Sequence, residues 1–242
     1  MLATMATALY LVERPLITPL VNLVGMKKWG LLHLAPMPAW VTIPLTLILL
    51  DYTFYLWHIL THKISWLWRI HIVHHVDLDR DSSTALRFHF AEMIVSVVWR
   101  AGQVILIGAS PLAFSMWRLF MVLEVLFHHS NIELPIAVER VLNKIIVTPR
   151  MHGIHHSIVH RETDSNWSSG LTLWDWLHGT LRLNVPQKDI TIGVAGYRKP
   201  QEVTIGKLLA MPFRKQRPSW ITPSGERPTR GETAVSRQHL LS

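Results

Sequence analysis

Three long apolar segments dominate the first half of the chain. Residues 38–57, 91–110 and 111–127 carry few charges, and each is about as long as a helix that crosses a bilayer. A turn at Gly108 separates the last two, so this pair is predicted to form a helical hairpin. Residues 1–26 are also apolar but broken by charges and proline, which predicts a kinked span or an interfacial helix. The pattern predicts an all-α integral membrane protein with about three to four inserted helices.

Two arginines, Arg100 and Arg118, interrupt the predicted hairpin. A charged side chain deep in a bilayer is costly. The hairpin is therefore expected to insert only partly, or to let these side chains snorkel to the surface or pair.

The composition agrees with a membrane protein and restricts its chemistry. Hydrophobic residues make up 49% of the chain and charged residues only 17%, and eleven tryptophans are present. Soluble domains carry about 25% charged residues, and tryptophan gathers at membrane interfaces. The absence of cysteine excludes disulfides, thiolate zinc sites, iron–sulfur clusters and cysteine nucleophiles. Any metal must therefore be held by His, Asp or Glu.

The charge pattern predicts which side of the membrane carries the polar segments. Residues 58–90 and 128–242 separate the apolar segments and are expected to face the same side. The second of these holds 15 Lys or Arg against 9 Asp or Glu. The positive-inside rule then makes that side cytoplasmic, as in a bacterial inner membrane. No nucleic-acid motif accompanies the charge, so a basic face against anionic lipid is the simpler interpretation.

The chain is expected to form a single membrane-embedded domain over residues 1–211, with its core at about 45–200. Residues 212–242 are rich in Pro, Ser, Thr and charge, which predicts a disordered basic tail.

Histidines cluster in three boxes, each directly outside a predicted span or in the polar segments. Spacings of four, or of three and four, place each box on one face of a helix. The boxes are HILTH (His58, His62), HIVHH (His71, His74, His75) and HGIHH (His152, His155, His156). An isolated histidine is usually an ordinary core or surface residue, but three boxes predict a metal site, since imidazole suits iron, zinc, copper and nickel.

Three further histidines are candidates to join the boxes. His129 follows the 111–127 segment on the same side and is a predicted ligand, whereas His128 and His89 are weaker candidates. Glu124 precedes His128 by one helical turn and could orient a ligand. The remaining histidines lack box spacing and are expected to take no part: His33, His160, His178 and His239.

Several polar residues are placed to orient metal-bound imidazoles through the second ring nitrogen. Asp51 and Tyr55 precede His58 on its helical face, and Asp164 and Asn166 follow the last box. Asp175 could serve in the same way or as a helix or turn cap.

The boxes and their surroundings resemble the fatty acid hydroxylase and sterol desaturase superfamily, in particular its bacterial members. HxxxH, HxxHH and HxxHH occur in the family's order, with an apolar hairpin before the third box. The resemblance covers roughly residues 45–200 and extends to DYTFYLWHILTH, HHVDLDRDSSTALRFHFAE, FHHSNIELP, VTPRMHGIHHS, RETDSNWSSGLTLWDWLHGT and YRKP.

The resemblance implies membrane helices under a cytoplasmic helical cap that holds two iron ions. It implies O2-dependent hydroxylation or desaturation of a lipid C–H bond, with electrons from a separate donor protein and zinc as a possible occupant of purified samples. By position, the family's ligands correspond to His58, His62, His71, His74, His75, His152, His155 and His156, with His129 matching a further family histidine.

The chain departs from the family pattern near the substrate end. TDSNWSS and LWDWLHGTL stand where bacterial members usually have TDSNYG and WWDRLFGTY, and Ile59 stands where an arginine is usual. The ligands are intact, so the departures concern Trp167 and Trp176 and the contacts around them.

Other functions remain open from the residues alone. A metal transporter would place its ligands inside the spans, and a zinc hydrolase would need a carboxylate as in HExxH, which is absent. A haem protein would need paired histidines within the helices. A non-catalytic or zinc-loaded histidine cluster is the main alternative. Sterol, hopanoid, carotenoid, fatty acyl and ether lipid all remain candidate substrates.

Overall fold

The computed structural model describes residues 12–230, and its backbone in that range is helical with irregular connections. Pairing of extended backbone there is limited to isolated bridges, such as Ile146 with Leu171. The α-helices in chain order are α1 (Arg14–Lys27), α2 (Ala39–Lys63), α3 (Ser65–His75), α4 (Phe90–Ile107), α5 (Pro111–His129), α6 (Ile136–Leu142), α7 (Pro149–His155), α8 (His160–Thr163), α9 (Leu173–Leu177) and α10 (Ile205–Ala210).

Three of these helices, α2, α4 and α5, are long and apolar enough to cross a membrane. They correspond to the three predicted spans, although α2 runs on to Lys63 and so includes the first histidine box. Large apolar side chains remain on their outer surfaces, for example Val98 (73% exposed) and Leu123 (60% exposed). Exposure of this kind suits contact with lipid. The prediction of an all-α membrane fold is confirmed.

Helix α1 packs against α4 and α5 through Ile17, Val21 and Val24. It has 14 residues and contains Pro19, so its length of about 21 Å is short of the roughly 30 Å hydrocarbon core. It accounts for the second half of the segment predicted as a kinked span or interfacial helix. The first part of that segment, residues 1–11, lies outside the described residues.

The loop between α1 and α2 meets the turn between α4 and α5 at the end of the bundle that is remote from the boxes. Gly30 and Gly108 touch there, with φ values of 99° and 82°. A Cβ on Gly30 would lie 2.3 Å from the Gly108 nitrogen. Both positions therefore need glycine, for space and for the left-handed backbone. The predicted turn at Gly108 is present and joins the two halves of the bundle.

The two arginines of the hairpin lie over aromatic rings. The Arg100 guanidinium is 4.4 Å from the ring centre of Trp117 and 5.5 Å from that of Phe54. Arg118 lies 6.0 Å from the ring centre of Phe114. Ring faces attract cations most strongly where water is absent. Partial insertion, snorkelling and pairing were expected for these arginines. Arg100 is best described by pairing, since its charge lies over two aromatic rings.

Residues 64–89 and 130–230 form a cap over the box end of the spans, built from α3, from the short helices α6 to α10 and from loops. Residues 212–230, here called the C-terminal strap, lie along this cap. Arg69 donates to the carbonyl of Pro212, and Arg230 donates to Glu162. The tail predicted to be disordered from residue 212 is therefore packed on the cap as far as Arg230, and residues 231–242 lie outside the described range.

Candidate metal centre

Three helices bring the histidine boxes together where the cap meets the spans. Helix α2 passes without a break from its apolar stretch into the first box, α3 carries the second and α7 carries most of the third. Thr148 begins α7, where its hydroxyl accepts from the Met151 N–H and donates to Glu139. This cap, followed by Pro149, explains why a helix starts just before the third box.

The imidazoles form two groups of four. Within each group, one nitrogen of every ring lies within 4.8 Å of the corresponding nitrogens of the other three. The first tetrad is His58, His62, His75 and His155, and the second tetrad is His74, His129, His152 and His156. Seven of these side chains are buried and His62 is partly buried. The structure thus brings together His129 and seven of the eight box histidines.

Backbone carbonyls orient three of the rings. The Nδ1–H groups of His58, His155 and His129 donate to the carbonyls of Trp167 (2.7 Å), Ser165 (2.9 Å) and Val125 (2.8 Å), respectively. These hydrogen bonds assign the proton to Nδ1, so each Nε2 presents a lone pair. Nε2 of His129 lies within 3.2 Å of Nε2 of His74 and His152 in the second tetrad, and the buried Nε2 of His155 has no hydrogen-bond partner among the described residues.

Hydrogen bonds alone cannot satisfy the nitrogen atoms of the second tetrad, because each Nε2 carries either one proton or one lone pair. Nε2 of His129 lies 3.2 Å from that of His74 and 3.0 Å from that of His152, which lies 3.0 Å from that of His156. Each neutral ring has one proton to share, and that of His129 is committed to Val125. A tetrahedral ion bound to imidazole would hold its nitrogens about 3.4 Å apart, which matches this spacing.

Hydrogen bonds also leave nitrogen atoms of the first tetrad without partners. Both ring nitrogens of His62 and His75, and Nε2 of His155, are buried without a hydrogen-bond partner among the described residues. Buried polar atoms are normally paired, and unpaired ones are expensive. A cation shared by these nitrogens would remove that cost. Both donor sets therefore fit a metal ion that prefers nitrogen ligands.

Burial keeps the cap imidazoles neutral. The pKa values of His74, His75, His152, His155 and His156 lie well below the usual 6.5, chiefly because burial disfavours the charged form. Neighbouring histidines lower these pKa values further. Neutral imidazole is the form that binds metal, so the site is ready for a cation at neutral pH.

His71 belongs to neither tetrad, although it was expected to be a ligand. Its Nδ1 lies 2.8 Å from Oε1 of Glu92, and its buried Nε2 has no partner among the described residues. Its ring centre is 4.9 Å from that of His62, so it lies beside the first tetrad. Glu92 was not singled out from the sequence. The available signal was a lone carboxylate in the first turn of an apolar helix.

The two weaker histidine candidates lie outside both tetrads. His89 caps α4 with Nδ1, which accepts from the Ala91 N–H, while its Nε2 lies 3.1 Å from the carbonyl of Leu209. Both nitrogens are therefore in use, and the structure gives His89 a structural role. His128 lies with Nδ1 3.9 Å from Glu124 and its ring centre 4.1 Å from that of His152.

The four polar residues expected to orient ligands do not bond directly to a tetrad imidazole in the described part of the chain. Asp51 accepts from the Leu171 N–H and from Nε1 of Trp174. The other three bond elsewhere: Tyr55 to Thr180, Asp164 to Lys63 and His160, and Asn166 to Met151 and Arg182. Most of these bonds hold the segment 165–182 against the helices.

The segment that does orient ligands is residues 165–167. Asn166 has φ 53°, a left-handed backbone that asparagine tolerates, and it separates the two carbonyls that accept from His155 and His58. Asp175 is buried and accepts from the N–H groups of Trp167 and Ser168. Asn166 and Asp175 thus position the histidines through the backbone, and Asp175, which lies within α9 and not at its N-cap, does so by holding the loop at residues 167–168.

The family model for fatty acid hydroxylases matches residues 43–180, which is more than half of the chain and includes all eight tetrad histidines. This chain belongs to the fatty acid hydroxylase family. The matched region of this family member begins within α2 and ends just after α9. Helix α10 and the C-terminal strap lie beyond it.

Relatives of this hydroxylase-family chain include enzymes named for different lipids. It is 32% identical to ornithine lipid hydroxylase OlsE of Rhizobium tropici over 71% of the chain and 50% of that protein. It is 31% identical to human (Homo sapiens) cholesterol 25-hydroxylase over 56% of the chain and 49% of that protein, and 29% identical to Xenopus tropicalis alkylglycerol monooxygenase over 60% and 31%. The chain thus spans about half the length of the first two relatives. No solved structure matches it.

Two of the departures from the family pattern, Trp167 and Trp176, lie within the segment 165–182. The ring of Trp167 is buried and lies 4.7 Å from that of His62 and 5.2 Å from that of His155, so it forms a wall of the first tetrad. Trp176 is 68% exposed on α9. His178, expected to be an ordinary surface residue, is exposed and lies 3.3 Å from the hydroxyl of Tyr52.

Proposed function

We propose that this protein is a membrane-bound, O2-dependent lipid hydroxylase with two metal ions, functionally iron, one in each histidine tetrad. The observation that carries the proposal is the pair of largely buried, all-imidazole tetrads at the end of three apolar helices. Such a donor set suits iron as well as zinc. Bound iron would supply the activation of O2 that insertion into an unactivated C–H bond requires.

The chain's own residues hold the ligands and exclude water. The carbonyls of Ser165, Trp167 and Val125 fix three imidazoles, and Trp167 closes one side of the first tetrad. The apolar outer surfaces of the spans would let a lipid approach from the bilayer. The excess of Lys and Arg after residue 128 supports a cytoplasmic position for the centre, in a bacterial inner membrane.

A lipid is the proposed substrate, and hydroxylation is the proposed reaction in preference to desaturation. The relatives named above are hydroxylases or a monooxygenase, and their names specify an ornithine lipid, cholesterol and alkylglycerol. These molecules share a large apolar body and differ in their polar parts. The proposed substrate is therefore a class of molecule, a membrane lipid that is oxidised at a C–H bond. A separate protein is the proposed electron donor.

The test compares the lipids of a bacterial host that expresses the protein with those of the host alone, by mass spectrometry. We expect one lipid class to gain the mass of an oxygen atom. His155→Ala should abolish that product, whereas His33→Ala, at the remote end of the bundle, should leave it unchanged. A lipid profile unaltered by the unmodified protein would contradict the proposal.

Metal analysis of the purified protein separates the proposal from its main alternative. We expect two irons per chain and no haem absorption band. A protein that binds only zinc, consumes no O2 and alters no lipid would be a non-catalytic histidine cluster. Metal uptake into vesicles, without any lipid product, would favour a transporter.

A further inference from the structure

Two tryptophans connect the first tetrad with the surface of the cap. The ring centre of Trp68, on α3, lies 4.8 Å from that of His62 and 5.4 Å from that of His75. Trp220 of the C-terminal strap stacks on Trp68, with ring centres 5.4 Å apart and planes at 26°. The exposed ring of His160 stacks on Trp220 at 4.4 Å. Ring contacts thus run without a gap from the surface to two ligands of the first tetrad.

The strap is anchored on both sides of Trp220. Nε1 of Trp68 donates to the Ser219 hydroxyl at 3.0 Å, and the Gln216 side chain donates to the Arg69 carbonyl at 2.8 Å. Further along, Arg230 donates to Glu162 at 2.6 Å. Trp220 is therefore held in place by bonds that do not involve its own ring. Because the strap lies outside the matched family region, this contact belongs to the chain's own C-terminal part.

The surface around Trp220 is basic. Residues 205–230 carry six Lys or Arg against one Glu. Lys215 and Arg217 line a hollow together with Tyr197 and Met211, which belong to the apolar cluster against which Trp68 packs. Glu202 also lines the hollow and pairs with Arg217, which leaves Lys215 as the basic residue to be tested there. Arg161 is exposed next to His160. A positive surface of this kind attracts and orients an acidic protein.

We propose that electrons enter the metal centre through the Trp220–Trp68 pair, delivered by an acidic one-electron carrier protein that docks on this basic surface. The inference rests on the proposed function, because an O2-dependent hydroxylase needs electrons. Trp68 contacts His62 and His75 of the first tetrad directly, whereas the second tetrad lies one ring further on, for example where His75 stacks on His156 at 4.3 Å. The first tetrad is therefore the point of entry and the second is reached through it.

The electron balance requires two deliveries per turnover. One oxygen atom of O2 enters the C–H bond, and the other leaves as water with two electrons and two protons from outside. Each delivery would oxidise one reduced carrier by one electron, which would pass to the metal that the first tetrad would hold. The indole rings shorten the gap for tunnelling and are neither oxidised nor reduced, and solvent supplies the protons.

The docking surface is tested by binding, with a plant-type [2Fe–2S] ferredoxin as the probe and the protein in nanodiscs of uncharged lipid. We expect Arg161→Glu combined with Lys215→Glu to raise the Kd at low salt by about tenfold or more. The matched control, Lys27→Glu combined with Lys28→Glu, reverses two exposed charges at the remote end of the bundle and should leave the Kd unchanged. An equal Kd in all three proteins would overturn the docking surface. A double variant that binds anionic vesicles less well but keeps the ferredoxin Kd of the unmodified protein would also overturn it.

The tryptophan pair is tested by the rate at which reduced ferredoxin reduces the iron-loaded centre, followed optically without lipid substrate. Trp220→Leu should slow this step by an order of magnitude with unchanged metal content and ferredoxin Kd. Trp220→Phe, which keeps a ring, should stay near the unmodified rate, as should Trp66→Leu, an exposed control on α3. A reduction rate in Trp220→Leu equal to that of the unmodified protein would overturn this inference but not the proposed function. A centre in the unmodified protein that accepts no electrons would overturn the proposed function as well.

Discussion

His155 and His156 are adjacent in the chain, yet their imidazoles belong to different tetrads, with ring centres 5.5 Å apart and planes at 83°. His74 and His75 divide in the same way. Successive residues of a helix point about 100° apart, so one HH pair faces two neighbouring sites. Two such pairs, one on α3 and one at the end of α7, supply half of the imidazoles of both tetrads and hold the two groups next to each other.

This division predicts that neighbouring histidines control different ions. His155→Ala should empty the first tetrad and His156→Ala the second, so each variant is expected to retain about half of the metal of the unmodified protein. Elemental analysis of purified samples measures this. His178→Ala serves as the control, since its ring lies outside both tetrads. Full metal content in either tetrad variant would show that the geometric groups do not act as separate sites.

Asp175 is predicted to support the first tetrad without touching it. Its carboxylate accepts from the N–H groups of Trp167 and Ser168 and from the Thr180 hydroxyl. Asp175→Ala would leave these donors buried and unpaired, at a cost of about 1–3 kcal/mol for each group. We expect a lower melting temperature and weaker metal retention. The exposed Glu133→Ala is the control, and a melting temperature equal to it would contradict this role.

Glu92 is predicted to matter as a hydrogen-bond acceptor. It lies 2.8 Å from Nδ1 of the buried His71. Glu92→Ala should destabilise the fold by about 1–3 kcal/mol, because that nitrogen would lose its partner. Glu92→Gln retains an acceptor oxygen and should recover most of the loss. Chemical unfolding in detergent measures both variants, and equal destabilisation by Ala and Gln would point to the charge instead.

The metal-free protein is predicted to lose stability in acid. The cap histidines of the tetrads have folded-state pKa values well below 6.5, because they are buried. Below about pH 6.5 these histidines bind protons in the unfolded chain but stay neutral in the folded chain. The free energy of unfolding therefore decreases as the pH is lowered below that value, and the full stability is present above it. We expect a clear drop in melting temperature between about pH 8 and about pH 5.5. A flat profile over that range would mean that these rings are charged or exposed in the folded protein.

Much of the architecture was determined by the sequence itself. The lengths of 38–57, 91–110 and 111–127 predict three spans, because only an internally hydrogen-bonded helix can cross a bilayer. The spacing of the boxes places their histidines on single helical faces, because helix periodicity is a local property. The motifs also indicated the family before any fold was known, and Gly108 marked the turn of the hairpin.

Only the tertiary structure decided how the histidines divide, because neither periodicity nor spacing says which helix faces meet. It placed His129 in the second tetrad, His71 beside the first and His89 at a helix cap. The groups that orient His58 and His155 are backbone carbonyls, which every residue possesses and which therefore leave no mark in a sequence. The strap shows the same limit: its polar composition predicted disorder, and the anchoring of Trp220 on Trp68 depends on contacts between residues about 150 positions apart.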